Sequence, residues 1–217
     1  MRTPTNATWI AAALVAASAA VAFWAWQTLP AGGGVPVNVL GLDGIRRHAV
    51  SREGVWLMPL VAGVVTLGLT AGALRIRGVE RAREVFDMTM ISVTGLLLVT
   101  EIALVSRAFN AEFNVMRPVA IATGVLLIAV GNYLGKARQN GFIGIKTPWT
   151  LADATVWDKT HRFTGRAMFA GGLALMILGF VFQDTTLLGI SIGACTALPL
   201  LAGIARSRSL SRAVPRG

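Results

Sequence analysis

The chain has little of what a soluble domain displays on its surface. Charged residues make up 14% of its 217 residues, against about 25% in typical soluble domains. A single cysteine, Cys195, excludes a scaffold held by internal disulfide bonds. Acidic residues are scarce, because 10 Asp and Glu stand against 20 Lys and Arg, which gives a formal net charge of +10. Hydrophobic residues make up 54% of the chain. So apolar and basic a composition excludes a disordered chain and a soluble nucleic-acid-binding domain, and it favours an integral membrane protein.

Sequence motifs for catalysis or cofactor binding are also missing. Residues 189–193 match the pattern G-x-S-x-G, but they lie in an apolar run, whereas a hydrolase needs this serine on an exposed strand–turn–helix. His48 and His161 are predicted on opposite sides of the membrane, and no Cys/His cluster has metal-ligand spacing. No phosphate-binding loop of the Walker type occurs. We therefore predict no enzymatic activity, no catalytic or metal-binding residues and no cofactor.

Long runs with few or no charges locate the membrane spans. A helix crosses a bilayer with about 17–25 mostly apolar residues, and these runs do not alternate as barrel strands do. Six helices are predicted, over 9–29, 54–74, 88–106, 118–135, 167–183 and 185–205. Residues 17–19 resemble a signal-peptide cleavage site, but the apolar run continues past Trp24 and Trp26, so we expect the first helix to be retained. The predicted fold is an all-α, polytopic integral membrane protein.

Basic residues set the predicted orientation and the division into regions. With alternating loops, about three-quarters of the 20 Lys and Arg fall on one side, which the positive-inside rule places in the cytoplasm together with both termini. Such charges are also attracted to anionic headgroups. We expect an N-terminal two-helix region, 1–69, with an extracytoplasmic loop over 30–53. A four-helix region, 70–217, carries a cytoplasmic loop over 136–166 and a basic C-terminal tail.

Small residues four apart favour close contact between membrane helices. Such pairs occur at Gly68 and Gly72, Gly131 and Gly135, and Gly189 and Gly193.

The loop over 136–166 is long, aromatic and mixed in charge. Residues 147–149 are typical of a turn, and Thr150 followed by Asp153 resembles a capping box, which predicts a helix that begins near Leu151. Trp157 would lie on one face of this helix.

Ala154, Trp157 and His161 share that face, so the segment is amphipathic and is expected at the membrane surface or under the bundle. One interpretation is an interfacial anchor formed by Phe142, Trp149, Trp157 and Phe163. The other interpretation is a surface that binds a partner.

Glu101 is a carboxylate inside the third predicted span, where an unpaired charge is costly. One reading is a proton-coupled or ligand-binding site within the bundle. The other reading is structural, in which Glu101 pairs with Arg107 or Arg117 or extends to the outer surface.

The cytoplasmic loop resembles the signature of the SdpI family, which typically reads GN-Y-L-P-K, N-x-F-I-G-I-R-T-P-W-T-L and W-x-x-T-H-R. Gly135 replaces the usual Pro, and Lys146 replaces Arg and keeps the charge. The signature positions are Asn132, Tyr133, Asn140, Phe142, Gly144, Lys146, Thr147, Pro148, Trp149, Thr150, Trp157, His161 and Arg162. The N-terminal part is similar to a domain of unknown function that often precedes this region, through residues 35–37 and 51–53, although Asn38 stands where His is usual.

The resemblance implies a multi-pass protein of the bacterial cytoplasmic membrane. Its implied function is immunity and signalling: tolerance to a membrane-active peptide toxin, and retention of a cytoplasmic transcriptional repressor at the membrane. The signature residues would then bind the partner, and no direct contact with nucleic acid is expected. The alternative function is a small proton-coupled transporter or exporter that uses Glu101.

Overall fold

The structure is a computed structural model that describes residues 5–30, 34–41, 44–75, 82–141 and 143–213. Within those residues, seven α-helices form, six of them long and apolar enough to cross a membrane. They are α1 Asn6–Thr28, α2 Leu57–Arg75, α3 Arg83–Phe109, α4 Met116–Leu134, α5 Pro148–Ala152, α6 Ala154–Val181 and α7 Thr185–Ala213. The predicted helical membrane fold with six spans is confirmed. Both α6 and α7 extend well beyond the apolar runs that predicted them.

The predicted extracytoplasmic loop contains a β-hairpin that the sequence analysis did not predict. Strands β1 Gly34–Gly41 and β2 Gly44–Ser51 pair antiparallel, with Val37 opposite His48. Val and Ile recur along both strands, as suits extended structure. A 3-10 helix, Arg52–Trp56, leads directly into α2, and β1 lies beside α3.

Helices α4 and α6 form the centre of the bundle. Leu127 of α4 and Leu175 of α6 are fully buried in the same core cluster, which Leu188 of α7 joins. Helix α3 packs on α4, and α1 and α2 pack on α3. The outer faces remain apolar: Leu67 is 72% exposed and Ile190 is 66% exposed. Such side chains face lipid in a helical membrane protein, where all backbone polar groups are satisfied within the helices.

Glycines allow α4 and α6 to approach closely. A Cβ added at Gly131 would lie 2.6 Å from the Gly165 carbonyl oxygen, and one at Gly124 would lie 2.7 Å from the Gly172 carbonyl oxygen. The helices therefore meet backbone to backbone at two levels, as small residues permit in membranes.

Of the three predicted glycine pairs, Gly131 and Gly135 are shown at a helix contact. Gly131 meets Gly165, as described above, and a Cβ added at Gly135 would lie 3.3 Å from the Cα of Arg162 on α6. Nothing lies within 4 Å of a Cβ built at Gly68, Gly189 or Gly193, so their predicted contact with another helix of this chain is wrong among the described residues.

Both described chain ends lie at the same end of the bundle. The Thr5 hydroxyl, just before α1, lies 3.4 Å from Asp87 Oδ1 near the start of α3. Trp149 of α5 contacts Ser207 near the end of α7. At the opposite end, the Trp24 and Phe109 rings lie 5.3 Å apart. Which end faces the cytoplasm remains the prediction from the basic residues.

Candidate functional site

The loop between α4 and α6 folds through two successive helix caps. Thr147 caps α5: its Oγ1 accepts a hydrogen bond from Thr150 N at 3.3 Å, and Thr147 N donates to Thr150 Oγ1 at 2.9 Å. Pro148 occupies the first position of α5, where its missing N–H costs no helical hydrogen bond. The turn predicted over 147–149 is therefore the first part of a short helix.

Asp153 caps α6. Its Oδ1 accepts from Thr155 N at 2.6 Å and from Val156 N at 2.9 Å, so α6 begins at Ala154. The predicted single capping box, with Thr150 as the cap and a helix from Leu151, is wrong. Thr147 and Asp153, six residues apart along the sequence, cap two different helices, because Asp153 itself is extended and interrupts them.

The predicted amphipathic segment is the first part of the long helix α6 rather than a separate helix on the membrane surface. Its buried face holds Trp157 and His161, whose rings stack with centroids 3.9 Å apart. Trp157 Nε1 donates to the Ala137 carbonyl at 2.8 Å. This stacked pair anchors the residues after α4 to the start of α6.

His161 uses both ring nitrogens to hold the loop. Ile145 N donates to Nε2 at 2.9 Å, and Nδ1 lies 2.8 Å from the Trp157 carbonyl oxygen. Because a backbone N–H donates and a carbonyl accepts, the ring is neutral with its proton on Nδ1. Gly144 has φ +122°, and a Cβ there would collide with His161 Nε2, so this position requires glycine.

Further hydrogen bonds attach the loop to its neighbours. Trp149 Nε1 donates to Ser207 Oγ of α7 at 2.7 Å. Gln139 Nε2 donates to the carbonyls of Thr150 and Leu151, both at 2.8 Å. Sequence reasoning missed Ser207 and Gln139. The only sign of them in the sequence is that each is a polar residue next to arginine, and this does not indicate a hydrogen-bond partner.

The structure divides the signature residues into an inner and an outer set. Asn140, Thr150, Trp157 and His161 are buried, and Tyr133, Gly144, Thr147 and Trp149 are partly buried. The outer set, which is exposed, is Asn132, Lys146, Pro148 and Arg162. Phe142 lies outside the described residues. The interfacial-anchor interpretation is wrong for Trp157, which is fully buried, whereas Phe163 is 41% exposed.

Glu101 forms a second polar site, inside the bundle. It is 1% exposed, and its Oε2 accepts a hydrogen bond from Ser18 of α1, which is equally buried. Its other oxygen, Oε1, has no hydrogen-bond partner among the described residues. Extension to the outer surface is therefore excluded.

The arginines considered as partners of Glu101 bond elsewhere. Arg107 Nη1 donates to the Phe113 carbonyl at 2.9 Å. Arg117 donates to the carbonyls of Gly179 and Phe180 at 3.1 and 2.9 Å. The predicted ion pair is thus absent in the described part of the chain. Ser18 was missed because a single serine in an Ala-rich helix gives no sign of its partner.

A second buried polar contact joins α3 to α2. Seven residues before Glu101 on α3, the Thr94 hydroxyl lies 3.2 Å from the Thr66 hydroxyl of α2. Seven residues apart along a helix is about two turns, so both α3 residues face the inside. The α1–α2–α3 part of the bundle therefore has a partly polar interior.

Comparisons with known proteins agree with the resemblance of the signature loop to the SdpI family. The model of the SdpI/YfhL protein family matches residues 136–205. The immunity protein SdpI of Bacillus subtilis (strain 168) is 27% identical over 126 residues, which cover 58% of this chain. The match spans 60% of that relative's own length. No solved structure matches. Residues 136–205, which include most of the signature loop, are therefore similar to the SdpI/YfhL protein family.

Proposed function

We propose that this chain is a non-enzymatic membrane immunity and signalling protein of the bacterial cytoplasmic membrane. It gives tolerance to a membrane-active peptide toxin, and its signature loop holds a cytoplasmic repressor protein at the membrane. The observation that carries this proposal is the similarity to a protein named as an immunity protein, across the region that contains the signature loop.

The fold of the loop supports a role in partner binding. The inner set, centred on Trp157 and His161, holds the backbone at Ala137 and at Ile145. The outer set is thereby presented on a rigid surface at one end of the bundle. Leu151 of α5 adds apolar surface there, since it is 47% exposed. A rigid surface with apolar and charged groups lowers the entropic cost of binding a partner.

Deletion of the gene tests the toxin part of this proposal. We expect the deletion to sensitise cells to at least one membrane-active peptide in a panel, and expression of the chain to restore tolerance. Unchanged survival across the panel would contradict immunity.

A pull-down from membranes tests the repressor part. We expect a helix–turn–helix protein to co-purify with the wild-type chain and to be lost with Lys146→Glu combined with Leu151→Ser. The matched control is Lys159→Glu with Phe163→Ser, which makes similar changes at exposed positions of α6 instead of at Lys146 and α5. Loss of the partner with both pairs alike would argue against a binding surface formed by Lys146 and α5.

A second candidate function is a small proton-coupled transporter. The observation in its favour is the buried Glu101 carboxyl, whose Oε1 lacks a partner among the described residues. Intramembrane carboxylates that face the bundle interior often mark proton or ion pathways.

Proton flux into vesicles that contain the purified chain distinguishes the two functions. A transporter would lose flux with Glu101→Gln and keep it with Glu112→Gln, a control that alters an exposed carboxylate at the opposite end of the bundle from the signature loop. Flux equal to that of empty vesicles would exclude this candidate.

A further inference from the structure

A cleft opens between the end of α4 and the first half of α6, beside the signature loop. Its volume is about 620 Å³. Gly131, Gly135 and Gly165 line it where α4 and α6 approach each other backbone to backbone, so the cleft lies beside this close contact. The cleft lies at the end of the bundle that the basic residues predict to be cytoplasmic.

The walls of the cleft are strongly basic. Lys136 and Arg138 follow α4, and Arg162 and Arg166 lie one turn apart on α6. Asp158 is the acidic lining residue. Four cations and one carboxylate around one concave space give a formal charge of about +3, which attracts an anion.

Three of these cations have no partner within the described residues. No hydrogen bond or ion pair to the guanidinium groups of Arg138, Arg162 or Arg166 occurs there, and Asp158 is not within salt-bridge distance of Arg162. Lys136 Nζ lies over the Tyr133 ring, 4.6 Å from its centroid. The guanidinium donors are therefore available to a ligand from outside the chain.

The position of the cleft along α6 indicates the kind of anion. Arg166 is the last charged residue before the uncharged run 167–183. Phe169 lines the cleft about one turn deeper and is 40% exposed. Cations therefore lie at the level of lipid headgroups, and an aromatic side chain lies where acyl chains begin.

We propose that this cleft binds the phosphate headgroup of an anionic glycerophospholipid. Arg162 and Arg166 hold the phosphate oxygens, Lys136 and Arg138 close the other side, and Phe169 contacts the upper part of an acyl chain. Guanidinium groups suit phosphate because their donors match its oxygens in pairs. Basic pockets between membrane helices on the cytoplasmic side bind such headgroups in general. The site does not depend on the proposed immunity function.

Native mass spectrometry of the purified full chain tests the site. We expect one phosphatidylglycerol to remain bound while phosphatidylethanolamine is lost, and Arg162→Gln with Arg166→Gln to weaken the lipid affinity by about tenfold or more. Arg162→Lys with Arg166→Lys should recover part of the affinity.

Lys159→Gln with Arg206→Gln is the matched control. These residues are exposed near the same end but do not line the cleft, and the net charge changes equally. We expect this control to leave the affinity within about twofold, which is below 1 kcal/mol. Equal loss with both pairs would show diffuse surface attraction and overturn the site.

Two competition arms separate the lipid from other anions. Inorganic phosphate at the same concentration should not displace phosphatidylglycerol, because it lacks the acyl chain that contacts Phe169. Full displacement by phosphate, or retention of an acidic protein instead of lipid in the cleft, would overturn the lipid assignment. Melting temperatures of Arg162→Gln with Arg166→Gln and of the control pair that equal the wild-type value establish that the comparison concerns folded protein.

Discussion

At the scale of single residues, one side chain of the signature loop both packs in the core and donates a hydrogen bond to the backbone. Trp157 is fully buried, stacks on His161 and donates to the Ala137 carbonyl. We predict that Trp157→Phe keeps most of the packing but leaves that carbonyl unpaired. The cost to the free energy of unfolding should be about 1–3 kcal/mol.

Unfolding in detergent micelles by heat or denaturant measures this loss. Phe163→Leu is the control, because Phe163 is on the same helix and is 41% exposed, so its effect should stay within about 0.5 kcal/mol. Equal losses for the two variants would mean that the Trp157 hydrogen bond does not stabilise the loop.

The protonation state of His161 gives a second prediction at this scale. The contacts require a neutral ring with the proton on Nδ1, because Nε2 accepts from Ile145 N. Nitrogen-15 NMR at neutral pH should show this tautomer. His48→Gln removes the other histidine signal and makes the assignment unambiguous. A proton on Nε2 would contradict the described loop.

At the scale of helices, the close approach of α4 and α6 depends on glycine. We predict that Gly131→Ala destabilises the bundle by about 1–3 kcal/mol, because its Cβ would overlap the Gly165 carbonyl. Gly193→Ala is the matched control, since a Cβ there meets nothing within 4 Å. The control should be neutral or slightly stabilising, because alanine favours helix over glycine. Melting temperatures in one detergent compare the two, and equal effects would contradict the tight crossing.

The helices themselves could be predicted from the sequence, but their partners could not. Six apolar runs are enough to locate six spans, because lipid permits few alternatives. The contact between Ser18 and Glu101 joins residues 83 positions apart, and no local pattern encodes such a pairing. The sequence predicts a capping box at Thr150 and Asp153, whereas the observed box, at Thr147 and Thr150, has the same three-residue spacing and cannot be told apart from it by pattern alone.

The candidate site was predicted as a set of residues rather than as an arrangement. The signature identified Trp157 and His161, yet their burial follows only from the return of Ala137 and Ile145 against α6. The basic cleft was not predicted, because it combines residues after α4 with one face of α6. Gly131 and Gly165 meet only once α4 and α6 are packed.

For the whole molecule, the distribution of basic residues predicts the signature loop in the cytoplasm. In a chain with Cys195→Ser, a membrane-impermeant maleimide should label Glu112→Cys in intact cells. It should label Lys159→Cys only after lysis, because the two positions lie at opposite ends of the bundle. Labelling of position 159 in intact cells would reverse the orientation and remove the loop from any cytoplasmic partner.

The most direct test of the account is survival of toxin-sensitive bacteria that express this chain. Cells are exposed to increasing concentrations of a membrane-active peptide toxin, beside cells with an empty vector, and the amount of chain in the membrane is measured in parallel. We predict a clear rise in the toxin concentration that halves survival when the chain is present. Equal survival with and without the chain, at confirmed expression and across a panel of such peptides, would contradict it.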